Sequence, residues 1–184
     1  MEEIEVKVLE VAADDLVARL VALGARQDVD MDMEALYFDT PERTLSARKD
    51  SLRLRREGGR VVLNYKMHRV GRDRDQGVMK VRDEHETAVE SLETARRILE
   101  GLGYEVWFES RKHRRGYVLD RLPGVHFVLD RLGGAHAHVP EFLEIEAPTP
   151  DLLGEAVMTA GYTMDQTVPW NGFEVVQHYA LPGR

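Results

Sequence analysis

The stretch EIEVKV at residues 3–8 alternates charged and apolar side chains with a period of two. That is the pattern of a β-strand with one buried face. Ile4, Val6 and Val8 share one side, while Glu3, Glu5 and Lys7 share the other. Two carboxylates and an ammonium group side by side read either as an ordinary solvated face or as part of a site that needs both signs of charge. The faces of the other strands decide between the two.

Period-two segments recur along the chain. With the first strand taken as 4–11, further strands are predicted at 35–38, 51–57, 60–67, 78–89, 107–119, 126–130 and 142–147. Three amphipathic helices lie among them. AADDLVARLVALGA (12–25) places Leu16, Leu20 and Leu23 at helical spacing, with Gly24 near its stop. SLETARRILEGLGY (91–104) has Ser91 as its cap and Leu92, Ala95, Ile98 and Leu99 as its stripe, closed by Gly101 or Gly103. TPDLLGEAVMTAGY (149–162) opens on Thr149 and Pro150 and stops at Gly161. Short turns such as EGGR (57–60) suit antiparallel hairpins, and HRVGRDRDQG (68–77) reads as a long loop. One α+β domain over residues 1–184 is expected.

Composition narrows the function. The 184 residues are 43% hydrophobic, with no apolar run near the roughly 18–20 residues that cross a bilayer. Acidic residues stand where a signal peptide would be basic, so a cytoplasmic protein without membrane association is expected. The absence of cysteine excludes disulfides, thiolate catalysis and Cys-type zinc sites. A net charge of −8 argues against a nucleic acid polymer as partner, because such binding depends on neutralising phosphates.

Charged residues make up 32% of the chain, and they fall at i, i+2 positions on strand after strand. LRLRRE presents Arg53 and Arg55; VVLNYKM presents Asn64 and Lys66; KVRDEHE lines up Lys80, Arg82, Glu84 and Glu86. RKHRRGY offers Lys112 and Arg114, Asp130 ends a strand, and FLEIE carries Glu144 and Glu146. A merely wet face would mix in Thr, Ser and Gln. The opposite faces are apolar and three helices are at hand to cover them, which implies a curved or closed sheet with a charged interior. Lysines and arginines from several strands suit a polyphosphate. Carboxylates among them suit a hard divalent cation such as Mg²⁺ or Mn²⁺.

These residues resemble the CYTH superfamily, the triphosphate tunnel enzymes named for class IV adenylyl cyclases and thiamine triphosphatases. The E-x-E-x-K signature is present as Glu3, Glu5 and Lys7, and the ordered charged pairs follow through Glu146. The resemblance implies an eight-stranded antiparallel β-barrel, a triphosphate tunnel with a charged lumen, flanked by helices. It implies Glu3, Glu5, Asp130, Glu144 and Glu146 as metal ligands for Mg²⁺ or Mn²⁺. It implies Lys7, Arg53, Arg55, Lys66, Lys80, Arg82, Lys112 and Arg114 as the triphosphate cradle, with Glu5, Lys7 and Arg55 placed at the chemistry. Glu84 and Glu86 match the pattern without a defined role.

Three functions follow from the same cradle. A metal-dependent triphosphatase would act on tripolyphosphate or a small organic triphosphate such as thiamine triphosphate. A class IV adenylyl cyclase would convert ATP to cyclic AMP and pyrophosphate. A non-catalytic polyphosphate- or nucleotide-binding module has less need of so many carboxylates. The chain is expected to act as a monomer or homodimer. Four other features read as structural or open: the H-x-H pair His136 and His138, the RKHRR run at 111–115, Arg69, Arg72 and Arg74 in the long loop, and the tryptophans. Trp107 is expected in the core, and Trp170 is the better candidate for a substrate mouth.

Overall fold

The computed structural model describes residues 2–68 and 80–180. Eight antiparallel strands close into a barrel. They are β1 (Glu2–Val8), β2 (Arg26–Asp39), β3 (Ser51–Glu57), β4 (Arg60–His68), β5 (Lys80–Val89), β6 (Glu105–Val118), β7 (His126–Leu132) and β8 (Phe142–Ala147). Their order around the barrel is β1-β5-β4-β3-β2-β6-β7-β8, and β8 returns to pair with β1 through Lys7 opposite Glu144 and Glu5 opposite Glu146. Closure leaves no sheet edge unpaired.

The apolar faces of the strands point outward and are covered by helices. Ile4, Val6 and Val8 of β1, Phe127 and Leu129 of β7, and Leu143 and Ile145 of β8 pack under α1 (Ala13–Ala22) and α4 (Pro150–Ala160). On another side Leu36, Phe38 and Leu54 pack under α3 (Leu92–Gly101) through Leu99. Most of the core is therefore on the barrel's exterior, and the lumen holds most of the charged side chains. Helix ends follow the predicted signals. Ser91 Oγ accepts from Thr94 N–H at the start of α3, and Thr149 Oγ1 accepts from Leu152 N–H at the start of α4. Gly161 closes α4 at φ 89°, a left-handed conformation that glycine adopts without a Cβ penalty.

Strand boundaries agree closely for β3 and β8, but β2 is much longer than predicted. Residues 26–34 (RQDVDMDME) also alternate, with acids on one face and Val29, Met31 and Met33 on the other. A lone acidic ladder resembles a solvated loop until β6 pairs with it, as Arg111, His113 and Arg115 do from the neighbouring strand. Two short helices were also not anticipated: α2 (Thr44–Ala47) and α5 (Gly172–His178). Of the predicted loop at 68–77, His68 instead ends β4, and the rest, with Arg69, Arg72 and Arg74, lies outside the described residues. No helix among the described residues is long and apolar enough to cross a membrane.

Candidate functional site

Strand pleating places most of the predicted charged residues on the lumen side; the side chains of Glu3, Lys80 and Arg82 lie outside the described ones. A cavity of about 1260 Å³ is lined by Glu5, Lys7, Arg53, Arg55, Lys66, Glu84, Lys112, Arg114, Asp130, Glu144 and Glu146, among others. The RKHRR run is divided as a strand requires: Lys112 and Arg114 line the cavity, while Arg111, His113 and Arg115 pair with Glu34, Asp32 and Glu141 on the other face. Backbone register sets Glu3 opposite Arg82 and Glu5 opposite Lys80, so these family positions lie on neighbouring strands.

Three carboxylates converge. Ligand oxygens of Glu5, Glu144 and Glu146 all lie within 4.8 Å of one another. All-oxygen donors at this spacing fit a hard divalent cation. A cation of the protein already stands among them: Lys7 Nζ is 2.7 Å from Glu144 Oε2 and 3.6 Å from Glu5 Oε1. Burial by itself would lower the Lys7 ammonium, but Glu144 and Glu5 outweigh burial and raise it, so it stays charged. Burial likewise opposes ionisation of Glu144, yet Lys7, Arg114 and Lys112 hold its carboxyl well below the usual range.

Asp130, fully buried, is engaged differently. It accepts from Arg114 Nε at 2.8 Å and Nη2 at 2.7 Å, and from Lys112 Nζ at 2.5 Å. The bidentate fork fixes the guanidinium plane, and Arg114 Nη2 reaches on to Glu144 at 3.1 Å. Asp130 thus aligns two cations toward the carboxylate cluster. Lys112, desolvated and beside Arg114, is lowered despite Asp130.

Across the lumen, Arg53 and Arg55 bring buried Nε donors that have no hydrogen-bond partner. Arg55 Nε stands 2.9 Å from Glu57 Oε2 as an ion pair, without the alignment of a hydrogen bond, and its Nη2 donates to Glu86 at 3.2 Å. A buried donor left without an acceptor costs about 1–3 kcal/mol, so Arg53 Nε, beside the Arg55 guanidinium, marks a place for an anion. Lys66 Nζ pairs with Glu84 at 3.3 Å. Asn64, fully buried, donates to both Glu84 and Glu86, which therefore order the β4–β5 wall.

The alternation also held residues that charge patterning did not reveal. Tyr37 lines the cavity beside Arg53 and Lys112. Burial would raise this phenol, but Arg53 and Lys112 lower it. Trp107 is a cavity residue rather than a core one: Phe173 of α5 packs edge-on against it at 4.7 Å, and the Arg43 guanidinium lies 5.1 Å over its ring. Trp170 lines the same end, packed with Leu132, Phe142 and Val175. That C-terminal segment is fastened to β1 by paired backbone bonds between Lys7 and Val168, at 2.9 and 2.8 Å. The H-x-H pair serves packing: His136 stacks near Phe108 and His138 Nε2 meets Tyr179 O at 3.1 Å.

The family model of the CYTH domain matches residues 1–157. The chain belongs to the CYTH family. A Methanocaldococcus jannaschii protein provisionally named an adenylate cyclase is 29% identical over 117 residues, and the chain spans 64% of that relative's length and 64% of its own. A Vibrio parahaemolyticus structure with the same provisional name superposes at TM-score 0.77 with 20% identity, over 95% of this chain and 97% of the other. A Hippeastrum protein provisionally named an adenylyl cyclase, and described as having a dominant triphosphatase activity, superposes at 0.65 with 19% identity over 98% of both chains. The CYTH assignment places the tunnel in a family whose members are adenylate cyclases or triphosphatases and depend on metal.

Proposed function

We propose that this CYTH protein is a divalent-metal-dependent triphosphatase that hydrolyses inorganic triphosphate or a small organic triphosphate in its tunnel. The observation that carries the reading is the meeting of the Arg53 and Arg55 guanidiniums with the Glu5–Glu144–Glu146 cluster in one lumen. In this reading Mg²⁺ or Mn²⁺ is held by that cluster, with Glu3 and Asp130 as further carboxylates of the family pattern. An ion held there would neutralise phosphoryl oxygens and lower the pKa of water.

The protein's own residues bind and orient. Arg53, Arg55, Lys112 and Arg114 hold the phosphate chain, with Lys66, Lys80 and Arg82 extending the cradle and Lys7 set beside the carboxylates. Water oxygen attacks the terminal phosphorus, the anhydride P–O bond breaks, the leaving diphosphate takes the electron pair, and the proton shed by the water passes to solvent. Charge developing on those oxygens meets preorganised cations, which is the main source of catalysis in phosphoryl transfer. Tyr37, with its lowered phenol beside Arg53 and Lys112, offers a group able to exchange a proton in the cradle. The triphosphatase activity described for the Hippeastrum protein agrees with a hydrolytic outcome.

The cyclase is the second reading, supported by the provisional names of the Methanocaldococcus and Vibrio proteins. One assay separates them. The protein is incubated with Mg²⁺ or Mn²⁺ and, in turn, tripolyphosphate, ATP and thiamine triphosphate, with phosphate and cyclic AMP both measured. Phosphate without cyclic AMP is expected. Cyclic AMP from ATP as the sole product overturns the hydrolase in favour of the cyclase, and binding without product leaves a receptor.

A further inference from the structure

β2 departs from the charged pattern of the lumen. Its cavity-lining positions are Val29, Met31, Met33, Ala35 and Tyr37, while the acids Asp28, Asp30, Asp32 and Glu34 alternate with them. Charged and apolar faces are exchanged relative to β1, β3 and β8. β2 stands four places from β1 in either direction around the barrel, so its apolar stripe faces Glu5 and Lys7 across the lumen.

Register places this stripe between two cationic walls. Ala35 is opposite Arg55 of β3, while Met33 and Met31 are opposite Lys112 and Arg114 of β6. The stripe then runs past the β3 side of the cradle: β3 ends at Glu57, opposite Met33, whereas β2 continues through Met31, still beside Arg114, to Val29 opposite Gly116. Met33 and Ala35 are buried beneath the cations, but Met31 and Val29 stay half-exposed. The cavity of about 1260 Å³ has the scale of pockets that take whole organic ligands, roughly 300–1,000 Å³, rather than a bare phosphate chain. At the opposite end the aromatic rings are already engaged, since Phe173 and Arg43 take up Trp107.

We propose that Met31 and Val29 seat the uncharged organic group of a triphosphate ester, of the nucleoside triphosphate class, whose phosphates lie over Met33 and Ala35 between Arg55 and Lys112. Methionine suits such a seat because its thioether is polarisable, adapts its shape and packs well against aromatic rings. These residues thereby select organic over inorganic triphosphate. The assignment rests on the triphosphate-processing reading of the same tunnel.

The test compares ATP with tripolyphosphate, by kcat/KM for phosphate release with Mg²⁺ and by calorimetric binding, in the wild type and in a Met31→Ser, Val29→Ser variant. Wild type is expected to favour ATP, and the variant's ATP-to-tripolyphosphate ratio to fall by about tenfold, the scale of a lost apolar contact in a pocket. A wild-type preference for tripolyphosphate, or a ratio unchanged in the variant, overturns the seat while leaving the hydrolase intact. If neither compound is turned over, or cyclic AMP is formed, the hydrolase falls. The binding ratio then decides the seat alone: selective loss of ATP affinity upholds it, and equal affinities overturn it.

Discussion

Lys7 Nζ sits 2.7 Å from Glu144 Oε2, with both side chains almost wholly removed from solvent. Burying an ion pair is favourable only when geometry and additional partners offset desolvation. Here Arg114 supplies Glu144 with a second cation, and Glu5 supplies Lys7 with a second carboxylate. Glu144 is held charged and close-packed by the fold itself, so a cation bound there meets one ligand already ionised.

If Glu5, Glu144 and Glu146 hold the metal, the double variant E144Q/E146Q should lower metal-dependent turnover at least about a hundredfold, the range seen on removing a preorganised electrostatic group. Far-UV circular dichroism checks that the barrel persists. The single variant E146Q is the cleaner probe, because it leaves the Lys7–Glu144 pair in place. Calorimetric titration with Mn²⁺ should show weakened binding for both. Unchanged Mn²⁺ affinity and turnover would remove these residues from the metal site.

Arg55→Ala should raise the dissociation constant for tripolyphosphate roughly tenfold to a hundredfold, since a hydrogen bond to a charged group contributes about 1.5–3 kcal/mol. The fold should tolerate the change, because the partners it leaves behind, Glu57 and Glu86, keep 20% and 30% side-chain exposure to water. Alanine replacements of Arg69, Arg72 and Arg74 should have a much smaller effect. Equal losses from both sets would shift the anion site away from the lumen.

Much of this site was legible because strand geometry turns spacing into direction. Lys7, Arg53, Lys112 and Glu144 each stand two residues from another charged position, and closure of the sheet brings them into one lumen. Three things were hidden for physical reasons. β2 carries its acids outward, so its lumen face announces itself only as Val29, Met31 and Met33. Asp130 looks like any strand-end carboxylate until Lys112 and Arg114 close on it. Trp107 and Phe173 meet across 66 positions of sequence, a contact that no local pattern encodes.

Asp39 provides a pH-dependent stability. Fully buried at the end of β2, its carboxylate accepts from Thr40 N at 2.8 Å, Leu45 N and Ser46 N at 2.9 Å, and Ser46 Oγ at 2.5 Å, which pins α2 and the Arg43-bearing loop. Burial would raise its pKa, but these donors outweigh burial and lower it. A lowered native pKa means stability fully present above the unfolded value of about 3.9, and lost as pH falls through the native value. Asp39→Asn should therefore cost about 2 kcal/mol in urea unfolding at pH 7, and the gap to wild type should narrow below about pH 4. A gap that is constant with pH would refute the carboxylate's role.

Gly116 on β6 faces the irregular β2 register between Gln27 and Val29. A Cβ there would meet both Asp28 Oδ1 and Val29 Cβ at 2.9 Å, closer than real Cβ contacts allow, and one of these is a carbon bonded directly to the β2 backbone. The strands must part to admit it, because the close approach is what seats Val29 at the tunnel's end. Gly116→Ala should thus destabilise the protein by about 1–3 kcal/mol, as overpacking does, read as a lower urea midpoint at unchanged slope. Gly133→Ala is the control: its Cβ would find only Arg111 O at 3.8 Å, at an extended φ of −126°. That substitution should be neutral or slightly stabilising, since it mainly restricts the unfolded chain. Equal effects at the two positions would show that loss of glycine flexibility, not contact with Val29, sets the cost.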